Sequence, residues 1–276
     1  MPTLSARPDI PARARAFERP ENDERPAVTL LTLEAMPSWF SCSMAEVLSL
    51  TGGDPLVRGV RGGGRGPAWR TASGRAVAFT GYDAEDRVRS LLALGPPDET
   101  PGLVLAVRDR LPAGVRVIVP RGTPLPLAEL SDWNFRAAYE APPPQPWESA
   151  VGWEEDEQAV TELLTLVSPG SSAWPGDAKV RRWAGIRENG RLVACLADTT
   201  AAPGVGHISA IAVHTGARGR ALGPSITAWA MRKMLAEGDV VTLGVYADNA
   251  VGLRMYDRLG FTVDHALTTG IVKATS

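Results

Sequence analysis

The feature that most constrains the fold of this chain is a strand–loop–helix–strand pattern between residues 206 and 246. An apolar run, GHISAIAVH, overlaps a loop, HTGARGRALGPS, which leads into an amphipathic run and then a second apolar run, VVTLGVY. Two apolar strands joined by a helix form a parallel pair with a right-handed crossover. The loop is therefore predicted to lie at the carboxyl edge of a sheet, over a helix N-terminus, where ligands and anions bind. The apolar helix positions, four residues apart, are Leu222, Ile226, Ala230 and Met234.

Composition and charge argue against several classes of protein. The 29 Lys and Arg residues nearly balance the 31 Asp and Glu residues, and a net charge of -2 favours neither nucleic acid nor an anionic membrane as partner. The two cysteines, Cys42 and Cys195, lack CxxC spacing, which argues against a zinc site and a disulfide scaffold. The sequence shows no apolar run of about 18 residues and no signal-peptide core. We therefore expect a cytoplasmic protein without a metal, a membrane partner or a nucleic-acid partner.

A proline-rich stretch divides the sequence into two predicted domains. The segment EAPPPQPWES carries four prolines, which favour an extended linker. At 276 residues the chain is long enough for two domains of ordinary size. The prediction is a flexible tail at 1–25, an N-terminal domain at 26–140, a linker at 141–148 and a C-terminal domain at 149–276.

The patterns of the N-terminal domain are the harder ones to interpret. Strands are predicted for AVTLLTLEA, GRAVAFTGY and LPAGVRVIVP, and a helix for AEDRVRSLLALG. The glycine-rich sequence GVRGGGRGPAW is interpreted as a flexible hairpin connection, because neither a Lys-Ser/Thr pair nor a helix pattern follows it. None of these patterns indicates a catalytic site.

The C-terminal domain has clearer patterns. Helices are predicted for EEDEQAVTELLTLV, for LGPSITAWAMRKMLAEG with Gly238 as its cap, and for NAVGLRMYDRLG, which ends at Gly260. A hairpin that turns at Asn189-Gly190 is predicted within RRWAGIRENGRLVACLADT, and a closing strand or hairpin within FTVDHALTTGIV. The loop SPGSSAWPGDAKVRRW is long and rich in turn residues, which indicates a substrate-facing segment.

Two motifs of this domain resemble those of the GCN5-related N-acetyltransferases, the GNAT family. The family's loop pattern, Gln/Arg-x-x-Gly-x-Gly/Ala, falls on residues 218–223, with Ala221 in place of the central glycine. A later pattern, Asn-x-x-Ala-x-x-x-Tyr followed by Gly-Phe, matches Asn249, Tyr256 and Gly260-Phe261, with Gly252 where alanine is common. The resemblance is closest to the FR47-like subgroup, whose members can carry a degenerate copy of the fold. It implies an α+β GNAT fold, with a mixed central sheet flanked by helices at 149–276 and a degenerate GNAT-like domain at 26–140.

The resemblance also implies acetyl-CoA as the acyl donor. The diphosphate would lie on backbone N–H groups of the loop, where the arginines could add charge-assisted bonds. The strand before the loop would bind the pantetheine arm and help to hold the thioester carbonyl. The residues implied to bind the donor are Ile211, Ala212, Val213, Arg218, Gly219, Arg220, Ala221, Leu222, Gly223 and Asn249.

His207 and Tyr256 are the implied catalytic residues. His207 stands where many family members place a glutamate as general base, and an imidazole with its ordinary pKa of about 6.5 suits that role. Tyr256 matches the tyrosine that protonates the departing thiolate. The non-catalytic alternatives are a solvent-facing histidine and a tyrosine that packs beside Leu259. His214 and His265 belong to no recognisable constellation.

Ala221 decides whether the loop still works. Alanine retains the amide that an anion would contact, and its methyl group is harmless where φ is negative. We expect Ala221 in the first helical turn with a negative φ, because Pro224 indicates an early-turn position. The loop is therefore interpreted as functional.

The sequence as a whole favours an acetyl-CoA-dependent N-acetyltransferase. The acceptor would be a primary amine of a small molecule or peptide that attacks directly in a ternary complex, and a homodimer is compatible with the sequence. The alternative is a non-catalytic acyl-CoA-binding sensor or scaffold, suggested by Ala221 and by the missing glutamate. A dinucleotide site is not favoured, because the glycine spacing does not fit G-x-G-x-x-G.

Overall fold

The computed structural model describes residues 38–60, 66–83 and 85–273. The flexible tail predicted at 1–25, the strand predicted for AVTLLTLEA and the three glycines of GVRGGGRGPAW lie outside the described residues.

The described residues form twelve strands and six α-helices. The strands are β1 (Trp39–Cys42), β2 (Ala68–Thr71), β3 (Val77–Tyr82), β4 (Val88–Leu94), β5 (Arg116–Pro120), β6 (Leu127–Ala138), β7 (Val151–Glu154), β8 (Arg182–Glu188), β9 (Arg191–Asp198), β10 (Val205–Val213), β11 (Val240–Tyr246) and β12 (Thr262–Val272). The helices are α1 (Met44–Leu50), α2 (Pro55–Arg58), α3 (Thr100–Val107), α4 (Glu157–Val167), α5 (Leu222–Leu235) and α6 (Ala250–Arg258).

All the strands belong to one mixed sheet, in the order β1-β2-β3-β4-β5-β12-β6-β11-β10-β9-β8-β7. Its parallel pairs are β4 with β5 and β10 with β11, and each pair is joined through a helix, α3 or α5. The strand–helix–strand unit predicted between residues 206 and 246 is thereby confirmed. So is the predicted mixed sheet flanked by helices.

At the centre of this sheet, strands from before and after the proline-rich stretch pair with each other. Strand β6, which precedes the proline-rich stretch, pairs with β11, and Val241 lies opposite Ala138. Strand β12, which ends the described chain, pairs in turn with β5, and Leu267 lies opposite Pro120. The part of the chain before the proline-rich stretch therefore contributes β6, which lies between β12 and β11. The part after it contributes β12, which lies between β5 and β6.

Helices cover both faces of the sheet. Successive residues of a strand point to opposite faces, and so pack alternately into two different cores. Along β9, Ala194 and Leu196 pack into the core that contains α5, whereas Cys195 and Ala197 pack beneath α4. This period of two is what the pleat of a strand requires. Along β4, likewise, Leu91 and Ala93 pack toward α3, and Leu92 and Leu94 toward α1 and α2.

The sequence AEDRVRSLLALG, predicted as a helix, instead contains strand β4, and that prediction is wrong. The strand pairs with β3 on one side and β5 on the other, and residues 91–94 are buried. A strand buried on both faces has a continuous apolar run, which periodicity cannot distinguish from a buried helix. Packing on both faces thus overrides the local pattern.

Gly238 is not the cap of α5, contrary to the prediction. The helix is capped at Ala236, and a Cβ on Gly238 would lie 2.6 Å from the carbonyl oxygen of Gly204. Gly238 therefore permits two backbone segments to approach each other.

The other local predictions in this region are confirmed. Asn189 and Gly190 have φ of 49° and 80°, as a tight hairpin turn between β8 and β9 requires. Gly260, with φ of 85°, ends α6, where the Phe261 N–H donates to the Tyr256 carbonyl at 3.0 Å. The sequence FTVDHALTTGIV forms the single strand β12.

Candidate active site

The loop between β10 and α5 presents a row of unused backbone donors. Gly219 and Ala221 are left-handed, with φ of 77° and 63°, and Ala221 is the N-cap of α5 without a capping side-chain bond. The amides of residues 219–223 have no hydrogen-bond partner within the described parts of the chain. Alternating backbone conformations of this kind turn successive N–H groups into a concave anion site, and the α5 dipole adds positive charge there.

The predicted backbone of Ala221 is wrong. Its φ is +63° and its ψ is 17°, because the chain reverses through a left-handed residue immediately before α5 begins. That conformation costs a residue with a Cβ roughly 1–2 kcal/mol relative to the right-handed region. The amide is still free, so alanine keeps the donor and bears a conformational cost that glycine would avoid. Pro224, as predicted, lies in the first turn of the helix.

The two loop arginines differ in their partners. Arg220 forms a two-pronged pair with Glu188 at 2.9 and 2.5 Å, and its guanidinium carbon lies 5.2 Å from the ring centre of Trp147. Arg220 lowers the pKa of the Glu188 carboxyl through this hydrogen bond. Arg218 donates from Nε to the Val213 carbonyl at 3.3 Å and has no carboxylate partner in the described chain. Arg218 is therefore the arginine whose charge is available to an anion.

Strand β10 leaves β11 as it approaches the loop. The two strands pair from Val205 to Ile208, whereas β11 continues to Tyr246. Beyond Ile208 a bulge at Ala210, with φ of 51°, shifts the register of β10 against β9. Residues 211–213 therefore form a strand segment that does not pair with β11, and an unpaired strand edge presents backbone groups to a ligand.

His207 lies just before this divergence, on the paired part of β10. Its Nδ1 is 2.8 Å from Thr242 Oγ1 on β11, and its backbone N–H donates to Thr200 Oγ1 at 3.0 Å. Burial lowers the pKa of His207 to about 4, against the opposing charge of Asp198, while Lys179 lowers it further. The imidazole is therefore neutral at neutral pH and has one nitrogen able to accept a proton.

Tyr256 lies on α6, where its ring packs edge-on against Phe261 at 5.8 Å between ring centres. Burial raises the pKa of Tyr256 to about 12, and the charge of Arg136 opposes that rise. The hydroxyl is therefore protonated at neutral pH. The adjacent Met255 touches the loop, because a Cβ on Gly223 would lie 3.3 Å from its sulfur.

Asn249 is the N-cap of α6. Its Oδ1 accepts from the Gly252 N–H at 2.9 Å. A Cβ on Gly252 would lie 2.8 Å from the Asn249 amide nitrogen. In this structure the glycine leaves room for the capping side chain.

Arg136, on β6, is a neighbour of Tyr256 that the sequence did not reveal. Its side chain is 6% exposed and donates to Asp257 Oδ1 at 2.7 Å, and its Nε is buried without a partner in the described residues. The backbone N–H of Trp147 donates to Ser225 Oγ on α5 at 3.1 Å. The sequence gives no distinct signal for Arg136, because β6 also carries the charged residues Glu129 and Asp132.

The loop predicted to face a substrate folds back on itself. The Trp174 indole donates to the Ser171 carbonyl at 3.0 Å, and its backbone N–H donates to Asp177 Oδ2 at 3.0 Å. Ala173 packs into the core beneath α4. Lys179, in the same loop, is close enough to His207 to lower the pKa of that imidazole.

Two kinds of feature are absent from the part of the chain that the structure describes. Within residues 38–60, 66–83 and 85–273, no cluster of three or more His, Cys, Asp or Glu side chains could hold a metal ion. None of the helices there is both long and apolar enough to cross a membrane.

The chain resembles known proteins in sequence and in fold. The Acetyltransferase (GNAT) family model matches residues 129–261, and no curated protein matches the chain. A GCN5-related N-acetyltransferase from Sphaerobacter thermophilus has a TM-score of 0.50 and 19% identity, over 86% of this chain and 98% of that one. One from Kribbella flavida has a TM-score of 0.48 and 16% identity, over 72% and 88% of the two chains. At these identities the structural likeness shows the fold alone.

The matched segment runs from β6 through the loop to Phe261, and so contains every residue of the candidate site. Residues 129–261 thus match the model of the GNAT acetyltransferase family, and the chain has the GNAT fold.

Proposed function

We propose that this protein is an acetyl-CoA-dependent N-acetyltransferase that acetylates a primary amine of a small molecule or peptide by direct attack. The observation that carries the proposal is the row of free amides at residues 219–223, at the carboxyl edge between β10 and α5. A diphosphate fits such a concave set of donors at a helix N-terminus, and Arg218 adds a cation beside it. Acyl-CoA-dependent acetyl transfer is also the general activity of the family that matches this segment.

The two titratable residues have protonation states suited to opposite roles. Neutral His207 accepts a proton from the acceptor amine, whose nitrogen then attacks the thioester carbonyl. Tyr256, which keeps its proton at neutral pH, donates it to the sulfur as the carbon–sulfur bond breaks. The unpaired edge of β10 at Ile211, Ala212 and Val213 would bond the pantetheine arm, and Asn249 would hold the start of α6 against it.

The first part of the chain is proposed to be a degenerate GNAT-like domain at 26–140, followed by a linker at 141–148 and the catalytic domain at 149–276. The support is that β4, α3 and β5 repeat the parallel strand–helix–strand arrangement of β10, α5 and β11. Membership of the FR47-like subgroup, a cytoplasmic location and a homodimer stay predictions.

Thermal unfolding with acetyl-CoA, free CoA and NADH tests the proposal. A ligand that binds only the folded protein adds about 2.7 kcal/mol of stability at 100 times its Kd. We expect acetyl-CoA and CoA to raise the Tm, NADH to leave it unchanged, and amines to release CoA from acetyl-CoA. Stabilisation without turnover over a broad amine panel would indicate an acyl-CoA-binding sensor or scaffold. No stabilisation by acetyl-CoA or CoA would contradict the proposal.

A further inference from the structure

We propose that Thr242 is a positioning residue that fixes His207 in the tautomer whose Nε2 lone pair is free. The assignment of a tautomer follows from the hydrogen bonds of the resting protein, and its catalytic meaning rests on the function proposed above.

The contact between the two residues is set by the strands that carry them. His207 on β10 and Thr242 on β11 are direct partners in the parallel register. The imidazole Nδ1 and Thr242 Oγ1 are 2.8 Å apart. Thr242 Oγ1 also donates to the Gly206 carbonyl oxygen at 2.9 Å, and the threonine is 1% exposed.

These two contacts together assign the proton on the imidazole. A carbonyl oxygen can only accept, so the single hydroxyl hydrogen of Thr242 points at Gly206. The hydroxyl oxygen is then an acceptor toward His207, and Nδ1 must carry the hydrogen. In a neutral imidazole the other nitrogen, Nε2, is therefore unprotonated. The opposite tautomer would either turn the hydroxyl hydrogen away from the Gly206 carbonyl or leave Nδ1 without a donor at this part-buried contact, and either loss is costly.

The backbone of His207 is held from its other side as well. Its N–H donates to Thr200 Oγ1 at 3.0 Å, and its carbonyl accepts from the Thr199 N–H at 2.9 Å. These bonds fix the backbone position of His207, while Thr242 fixes the rotation and tautomer of its imidazole. A base held in this way needs no rearrangement when a proton arrives.

The proton balance of the step is simple. A proton leaves the acceptor nitrogen and binds Nε2, so the imidazole becomes an imidazolium. The hydrogen on Nδ1 stays in its bond to Thr242, and the Thr242 hydrogen stays in its bond to Gly206. Thr242 thus stabilises both the resting and the protonated base without exchanging a proton itself.

The tautomer can be read directly by nitrogen NMR of histidine-labelled protein. The chain has three histidines, so the His207 signals are assigned with a H207Q variant. In the resting wild type we expect a protonated Nδ1 and an unprotonated Nε2. The variant Thr242→Val keeps the shape but removes the acceptor, and we expect the tautomer ratio to move by about fivefold toward protonated Nε2.

Two further variants separate positioning from general damage. Thr242→Ser keeps the hydroxyl, and we expect it to restore both the tautomer and kcat. Thr80→Val is a matched control, because Thr80 is another buried strand threonine, and its hydroxyl contacts the Pro67 carbonyl far from His207 in the sheet. We expect only Thr242→Val to lower kcat, about fivefold or more, with the KM for acetyl-CoA unchanged.

Several results would overturn the inference. A wild-type His207 protonated on Nε2, or an unchanged tautomer ratio in Thr242→Val, would refute the assignment. A shifted ratio with unchanged kcat would refute the positioning role. These results differ from a failure of the proposed function, in which acetyl-CoA neither stabilises nor acetylates while the nitrogen spectra still show the predicted tautomer.

Discussion

Two strand–helix–strand units of this sheet share one architecture and differ in their loops. In the first unit, β4–α3–β5, the loop before the helix contains Pro96, Pro97, Asp98 and Glu99. Prolines supply no N–H, and Glu99 and Asp98 form ion pairs with Arg75. In the second unit, β10–α5–β11, the loop leaves five successive amides without a hydrogen-bond partner among the residues that the structure describes. The topology of each unit therefore brings a helix N-terminus to the sheet edge, whereas the loop residues decide whether an anion can bind there.

The units also differ in the element that comes after the second strand. After β11 the chain forms α6, which carries Tyr256, and the adjacent Met255 lies beside the loop. After β5 it turns at Thr123, whose hydroxyl donates to the Pro120 carbonyl at 2.6 Å, and enters β6 without an intervening α-helix. The first unit therefore has no counterpart of the proposed proton donor. On this account it serves as a structural partner that supplies β6 and the Arg136 side chain.

The largest expected effect concerns the proton donor that only the second unit has. Tyr256→Phe removes the acid, and we expect kcat to fall about 100-fold while acetyl-CoA still raises the Tm. Tyr139→Phe, at an exposed tyrosine outside the site, is the control and should leave kcat unchanged. Equal kcat values in the wild type and Tyr256→Phe would show that Tyr256 is not the proton donor, and the two units would then no longer differ in this respect.

A second effect concerns the partly buried His207, since β4 and β5 contain no histidine. The folded pKa of His207, about 4, lies below the ordinary value, so from about pH 6.5 to 4 the unfolded chain binds a proton that the folded protein does not. Stability is therefore lost as the pH falls through this window, by about 2–3 kcal/mol in all. Urea unfolding of wild type and His207→Gln at pH 7 and 4.5 checks this, and parallel losses in the two proteins would contradict it.

A third experiment places a carboxylate, such as those of the loop before α3, in the loop before α5. Gly219→Asp places a carboxylate among the free amides, and Gly219→Asn places a neutral side chain of the same shape there. Since Asn and Asp both tolerate a left-handed backbone, their difference isolates the charge. We expect the aspartate variant to bind CoA at least about tenfold more weakly than the asparagine variant. Equal affinities would mean that the diphosphate does not lie at this loop.

The smallest expected effect concerns Ala221 itself. Ala221→Gly relieves a left-handed alanine, and we expect unfolding by urea to show a gain of up to about 1 kcal/mol. Ala228→Gly, inside α5, is the opposite case and should cost about 1 kcal/mol. A loss of stability in Ala221→Gly comparable to that in Ala228→Gly would contradict the left-handed conformation.

Local patterns predicted much of the chain after the proline-rich stretch and little of the β4–α3–β5 unit. The period of α5, the Asn189-Gly190 turn and the glycine that ends α6 are local signals, and the structure has all three. Strand β4 was missed because a doubly buried strand carries no period. The conformation of Ala221 was missed because a single alanine does not reveal where a helix begins.

The parts that could not be predicted depend on contacts between distant residues. Nothing in β6 indicates that it separates β11 from β12, because strand pairing is decided by the whole sheet. Arg136 therefore reaches Asp257 from 121 positions away in the chain. The bond from His207 to Thr242 follows from parallel pairing, and its register is visible only in the folded protein.

The measurement that tests the central comparison most directly is calorimetric titration of the full chain with acetyl-CoA, read for its stoichiometry. The account predicts one site per chain, weakened in Gly219→Asp and unaffected by Asp98→Asn in the first unit's loop. Two sites per chain would show that the first unit also binds the donor. An absence of binding would show that the free amides of the second unit do not form an acyl-CoA site.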